Sequence, residues 1–104
     1  MTRKEAMQAM LEKITAGEFF GDLPRPLEFH TDLCFKAFSG DLNAAKSLHE
    51  SVLPGWLWGR HYSGQMWIEQ NTMPGYSERF YGKSPDPAVA WLMAIIACEI
   101  ARCE

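Results

Sequence analysis

The sequence predicts an α+β fold in which helices pack on a short antiparallel sheet of two to three strands, in the order α-α-α-β-β-β-α. Apolar residues recur every three or four positions in the first half of the chain, as in helices with one buried face. Between Trp56 and Tyr62 aromatic residues alternate with other types, which is typical of a strand. The apolar run Ala88–Cys98 follows a helix-start signal and is shorter than the roughly 18 to 20 residues that cross a bilayer. The 104 residues fit a single domain, and the 47% hydrophobic and 22% charged residues are ordinary for a globular protein.

The first helix is predicted over Thr2–Ala16. Thr2 and Glu5 have the spacing of a capping box, in which each side chain accepts a hydrogen bond from a free N–H of the first turn. Gly17 is the expected stop, because glycine tolerates the left-handed conformation that often follows a helix. The predicted buried stripe of this helix consists of Met7, Met10, Leu11 and Ile14.

The segment Glu18–His30 is predicted to be an extended connection that lies on the core through its aromatic residues. Pro24 and Pro26 remove two backbone donors and fix φ, which disfavours a regular element there. A second helix is then predicted at about Thr31–Phe38, ended by Gly40. Its expected core residues are Leu33, Phe35, Ala37 and Phe38.

The third helix is predicted over Asp41–Leu53, with Asp41 as its N-cap and Pro54-Gly55 as its end. Its apolar stripe is expected to contain Leu42, Ala45, Leu48 and Val52. The last helix is predicted over Asp86–Arg102, where Asp86 can cap and proline suits the first helical position. This helix is apolar on most sides, so we expect the sheet to cover one side and other helices to cover the opposite one.

The sheet is predicted between the third and last helices. A strand at Trp56–Tyr62 is expected to turn at Ser63-Gly64 into a strand at Gln65–Gln70. Met73-Pro74-Gly75 then turns the chain into a third antiparallel strand at Tyr76–Tyr81. Trp56 and Trp58 are expected to pack in the core. Trp67 has the opposite parity from Ile68, so it is expected on the other face of the sheet.

The second half of the chain resembles a known family. The stretches Leu42–Glu50 and Val52–Trp58, with a Leu-Pro-Gly-Trp turn after an alanine-rich helix, are similar to the phage "ABA sandwich" domain family. The final helix, Asp86–Ile95, is similar to the last helix of that family, and the resemblance covers Asp41–Ala101. It implies a small phage or prophage protein with helices packed on a short antiparallel sheet. The family offers no catalytic residues to transfer.

Net charge and cysteine content narrow the functional classes. The formal net charge of −3 argues against a general nucleic-acid binder, which needs an excess of Lys and Arg. Three cysteines without CxxC spacing, together with a start that lacks a signal-peptide pattern, predict a reduced, soluble, cytoplasmic protein, and the resemblance implies that the cell is a bacterial host. The cysteines are Cys34, Cys98 and Cys103.

Catalytic and metal motifs are weak, so no catalytic residue, metal or cofactor is predicted. His49-Glu50 lacks the second histidine of a zinc-binding HExxH helix, and His49 is expected to be a surface or capping residue. Cys34 with His30 is conceivable as a nucleophile and base. A cysteine among Leu33 and Phe35 is more often a small core residue, and that interpretation is preferred.

Binding to a protein is therefore the leading functional prediction. A small non-enzymatic phage accessory protein is expected to act as an inhibitor of a host system, such as an anti-CRISPR or other counter-defence protein; self-association and a role in phage assembly stay open. The candidate protein-binding residues are acidic: Glu18, Asp22, Glu28, Asp32 and Asp41. The alternative is a single-stranded nucleic-acid binder with an aromatic sheet face. Its candidate residues are Arg60, His61, Trp67, Arg79 and Lys83.

Overall fold

The computed structural model describes residues 3–17, 31–61, 64–73 and 76–102. These residues form helices and one antiparallel sheet in the predicted order α-α-α-β-β-β-α, which confirms the α+β class. The elements are α1 (Arg3–Thr15), α2 (Thr31–Phe38), α3 (Leu42–Val52), β1 (Leu57–Arg60), β2 (Gln65–Met73), β3 (Tyr76–Lys83) and α4 (Pro87–Arg102). The predicted connection Glu18–His30 lies outside the described residues, and so does Thr2 of the predicted capping box. Parts of the two predicted turns between strands lie outside them as well, namely Tyr62, Ser63, Pro74 and Gly75.

Helix α1 has the buried stripe that its apolar spacing predicts. Met7, Met10 and Ile14 are buried, and Leu11 packs at the edge of the core. The helix ends at Thr15, and Gly17 follows it with a φ of 75° and donates its N–H to the Ile14 carbonyl. A left-handed residue at this point is favourable for glycine because it has no Cβ.

Helices α2 and α3 have the predicted positions, but their buried faces are rotated from the predicted stripes. Phe35 and Leu42, both expected in the core, are 45% and 46% exposed. Ala37 of α2 and Ala45 and Leu48 of α3 are buried as predicted, and the buried faces also contain Cys34, Ala44 and His49. The small side chains let α2, α3 and α4 pack together, whereas Phe35 and Leu42 are turned outward. The predicted cap is confirmed, since the Asp41 carboxylate accepts the Ala44 N–H at 3.1 Å.

The sheet has the strand order β1-β2-β3, with both pairs antiparallel. Strand β1 is shorter than predicted because the backbone groups of Trp56 bond elsewhere. Its N–H donates to the Leu53 carbonyl at 3.1 Å, and its carbonyl lies 2.9 Å from Nε2 of His49. Strands β2 and β3 are longer than predicted, and their pairing contains an irregularity between Asn71 and Met73.

The sheet has an inner face that packs on α4. Met66 and Ile68 of β2 are buried there, and Gly82 of β3 lies directly against the α4 backbone. Trp56 is buried as predicted. The prediction for Trp58 is wrong in part, because this side chain is 45% exposed although its ring lies 4.4 Å from that of Trp91. Strand β1 lies at the edge of the sheet, so one side of the Trp58 indole has no strand to cover it.

Helix α4 is the centre of the molecule. The Asp86 carboxylate accepts the Ala88 N–H at 2.9 Å, which confirms the predicted cap with Pro87 as the first helical residue. One side of α4 packs on β2 and β3, and the other side contacts α1, α2 and α3. This two-sided burial confirms what its nearly uniform apolar sequence predicts. Within the described ranges, no helix is long and apolar enough to cross a membrane.

Candidate functional site

The face of the sheet opposite α4, called here the outer face, is the candidate site. Side chains alternate along a strand, so the residues next to the inner-facing Met66, Ile68 and Gly82 point the other way. The packing of helices on the sheet described above uses the inner face only. The outer-face residues are Leu57 and Gly59 of β1, Gln65, Trp67 and Glu69 of β2, and Arg79, Tyr81 and Lys83 of β3.

A fixed cluster of three side chains occupies the middle of this face. The indole of Trp67 fills the space above Gly59, where a Cβ would overlap its ring atoms. The guanidinium of Arg79 lies over the same indole, 4.6 Å from its ring centroid. Arg79 also donates to Oε1 of Glu69, from Nη2 at 2.9 Å and from Nε at 3.2 Å. We call Trp67, Glu69 and Arg79 the Trp67 cluster; its indole contacts both a glycine backbone and a cation.

Hydrogen bonds further favour the charged form of the Arg79 guanidinium. The phenol of Tyr81 and the carboxylate of Glu69 raise the pKa of the Arg79 guanidinium above its usual range. Glu69 is only 14% exposed at its side chain, whereas Arg79 is 41% exposed, so the positive group is the one presented to solvent. Its charge is nevertheless balanced by the carboxylate beneath it.

Two large apolar side chains flank the Trp67 cluster on opposite sides. Leu57 is 52% exposed on β1, and Tyr81 is 50% exposed on β3. Leu57 lies opposite Glu69 in the register, and Tyr81 lies opposite Trp67. The outer face therefore combines a rigid aromatic–cation centre with exposed apolar surface on both sides.

The residues predicted for nucleic-acid binding are only partly brought together. Trp67, Arg79 and Lys83 share the outer face. Arg60 has the inner-face parity at the edge strand, since it lies opposite the buried Met66. His61 follows β1 and donates its N–H to the Gln65 carbonyl at 2.7 Å.

The acidic residues predicted for protein binding are divided between described and undescribed parts of the chain. Glu18, Asp22 and Glu28 lie outside the described residues. Asp32 is exposed in the first turn of α2 and lies 3.9 Å from Lys36, one helical turn away. Asp41 is exposed as well, but its carboxylate already caps α3.

His49 is buried, so its prediction as a surface or capping histidine is wrong. It is 2% exposed, and Nε1 of Trp91 donates to its Nδ1 at 3.2 Å. Nδ1 is therefore the acceptor, which leaves Nε2 to carry the proton and to donate to the Trp56 carbonyl at 2.9 Å. Through these two hydrogen bonds the His49 ring connects α3 with α4 and with Trp56, the residue before β1. Sequence spacing missed this contact because Trp91 lies 42 residues further along the chain.

The two described thiols belong to the core. Burial raises the pKa of Cys34 to about 12 and that of Cys98 to about 12, so both remain protonated and are poor nucleophiles at neutral pH. This agrees with the preferred interpretation of Cys34 as a small core residue. Among the residues that the structure describes, no three His, Cys, Asp or Glu side chains are grouped so as to hold a metal ion.

Comparison of the chain with protein-family models, curated proteins and solved structures finds no match. The resemblance to the phage ABA sandwich family over Asp41–Ala101 thus stays a prediction from the sequence. The outer face and its geometry are the basis for a functional proposal.

Proposed function

We propose that the chain is a non-enzymatic protein-binding domain whose partner docks on the outer face of the sheet. The observation that supports this proposal is the combination of Leu57 and Tyr81, each about half exposed, around the Trp67 cluster. Exposed apolar side chains grouped with aromatic residues and an arginine are typical of protein interaction sites.

The Trp67 cluster has the properties of an interface anchor. Tryptophan, tyrosine and arginine dominate the binding energy of many protein interfaces. Trp67 and Arg79 are already fixed by the Gly59 contact and by Glu69, so little side-chain entropy remains to be lost when a partner binds. Leu57 and Tyr81 then supply the apolar area that the partner covers.

The nucleic-acid alternative has weaker support from the same geometry. A base stacks on the open π-face of an aromatic ring. The Trp67 indole lies against Gly59 and has the Arg79 guanidinium over its ring, so Arg79 already occupies ring surface on which a base would stack. The Arg79 charge is balanced by Glu69, which leaves Lys83 as the cation of this face without an ion pair to a described residue. The net charge of −3 also opposes phosphate binding.

The biological setting of the proposal follows from the resemblance and the cysteines. A phage or prophage accessory protein would act in the cytoplasm of its bacterial host, where thiols such as those of Cys34 and Cys98 stay reduced. An inhibitor of a host defence system is the role we propose there. Asp32 lies on α2, on the other side of α4 from the outer face, and Asp41 caps α3, so neither carboxylate belongs to this docking surface.

The test is affinity capture from a bacterial host lysate with matched variants. Leu57→Ser and Tyr81→Ser remove the two exposed apolar groups of the outer face. Phe35→Ser is the control, because Phe35 is exposed to a similar degree but lies on α2. We expect a partner that is retained by the native chain and by Phe35→Ser and is lost with both outer-face variants. Its direct binding is then measured with purified proteins by calorimetry.

Two results would contradict the proposal. One is a purified partner that binds the outer-face variants as tightly as the native chain. The other is salt-sensitive binding of single-stranded oligonucleotides that quenches tryptophan fluorescence and is lost with Lys83→Glu, which would favour the nucleic-acid alternative. Identification of the partner as a host defence protein or as a phage structural protein distinguishes the inhibitor role from the assembly role.

A further inference from the structure

Among the residues that the structure describes, no strand pairs with the outer edge of β1. On its other side, β1 pairs with β2. Edge strands commonly carry charged residues that prevent edge-to-edge association. The other end strand, β3, contains Glu78, Arg79 and Lys83, whereas β1 begins with Leu57, Trp58 and Gly59 and has its first charge at Arg60.

The pairing of β1 with β2 determines which of its backbone groups face this edge. The bond from His61 N–H to the Gln65 carbonyl shows that His61 belongs to a hydrogen-bonded pair of the antiparallel ladder. Such pairs alternate along the strands, so Gly59 and Leu57 also direct their N–H and C=O groups toward β2. Trp58 and Arg60 direct theirs to the outer edge.

We propose that this edge pairs with the β1 edge of a second copy of the chain, in antiparallel register centred on Gly59. In this register Trp58 lies opposite the partner's Arg60, and Arg60 lies opposite the partner's Trp58. The outward-facing N–H and C=O groups of these residues then make four backbone hydrogen bonds across the interface. Two three-stranded sheets become one six-stranded sheet with α4 of each protomer on the same side.

Side-chain complementarity selects the second copy as the occupant. Trp58 and Arg60 point to the inner face, where Trp58 is 45% exposed and Arg60 makes no ion pair with a described residue. Across the two-fold axis each guanidinium meets the exposed indole of the other protomer, which is a favourable cation–π arrangement formed twice. The strand is thus self-complementary about Gly59, as a two-fold interface requires.

The two neighbouring registers are less favourable. A register centred on Arg60 places two guanidinium groups directly opposite each other, which is repulsive. A register centred on Trp58 places Arg60 opposite the partner's Trp56. The Trp56 N–H already donates to Leu53 and its carbonyl already accepts from His49, so this register keeps only the two hydrogen bonds between the Trp58 residues, against four in the Gly59-centred register.

The inference does not depend on the partner proposed for the outer face, and sedimentation of the purified chain tests it directly. We expect a concentration-dependent monomer–dimer equilibrium for the native chain. Trp58→Glu and Trp58→Lys are the matched variants, because both remove the Trp58–Trp91 contact equally. Trp58→Glu places a carboxylate opposite the partner's Arg60, whereas Trp58→Lys places a cation opposite it. We expect the lysine variant to dimerise about tenfold more weakly than the glutamate variant.

Disulfide crosslinking tests the register. In the Gly59-centred register Leu57 lies opposite the partner's His61 in a non-hydrogen-bonded pair, whose Cα separation of about 4.5 Å suits a disulfide. Leu57→Cys with His61→Cys, in a Cys103→Ser background, should form a covalent dimer on mild oxidation. A native chain that stays monomeric at every concentration, equal dimerisation of the two Trp58 variants, or failure of the dimer to crosslink would each overturn the proposal.

Discussion

At the scale of single residues, His49 is the most consequential polar group of the core. Its imidazole accepts from the Trp91 indole and donates to the Trp56 carbonyl, so it connects α3, α4 and the segment before β1. His49→Phe keeps a ring of similar size but leaves both partners without a hydrogen bond. We expect the free energy of unfolding to fall by roughly 2 to 5 kcal/mol, because buried unpaired polar groups are costly. Chemical denaturation measures this loss.

Trp91→Phe provides the control for this change. In the double variant the unpaired indole N–H is absent, so the combined loss should be smaller than the sum of the two single losses. A coupling of about 0.5 to 3 kcal/mol is expected for residues in one hydrogen-bond network. Strict additivity of the two substitutions would show that the 3.2 Å contact between the two rings contributes nothing to stability.

At the scale of elements, short-range signals in the sequence predict the order and ends of the helices well. Asp41, Asp86 and Gly17 act where local spacing places them, since a cap requires only its own first or last turn. The faces that α2 and α3 turn to the core were predicted partly wrongly, because Phe35 and Leu42 were expected to be buried and are exposed. An apolar stripe fits two neighbouring faces of a short helix, and only packing on α4 decides between them.

The contact of α4 with β3 depends on Gly82. A Cβ at this position would overlap the Ala90 carbonyl and approach the Ala94 N–H within 2.8 Å. Gly82→Ala should therefore force α4 away from the sheet and lower the free energy of unfolding by about 1 to 3 kcal/mol or more. Gly17→Ala is the control. A Cβ at Gly17 would meet no other atom, so this substitution should lower the free energy of unfolding only through backbone strain, by about 1 to 2 kcal/mol. A Gly82→Ala protein with unchanged stability and unchanged α4 hydrogen exchange would contradict this close packing.

At the scale of the whole molecule, the layers explain which parts of the candidate site the sequence predicts. Successive side chains of a strand point to opposite faces of the sheet, so the sequence alone places Trp67 on the other face from Ile68. This alternation is a local property of the strand and identifies the outer face. The arrangement of Arg79 over Trp67 and the Gly59 space beneath it arise from three strands in a specific register. The partial exposure of Trp58 depends on its position at an edge, which is decided only once the strand order is formed.

The two buried thiols of the core predict how the stability of the whole molecule depends on pH. Burial raises the pKa of Cys34 and Cys98 from 9.0 to about 12. Above pH 9 the unfolded chain releases these protons while the folded chain keeps them, so their stabilising contribution is complete below pH 9 and is lost as the pH rises toward 12. At pH 10 the loss should be about 1.4 kcal/mol per thiol. Urea unfolding under reducing conditions at pH 8 and at pH 10 measures this loss of stability. The double variant Cys34→Ala/Cys98→Ala is the control, because it lacks the two thiols but retains every lysine and tyrosine that also titrates in this range. An equal fall in stability for the native chain and this double variant would show that the thiols do not cause the alkaline destabilisation.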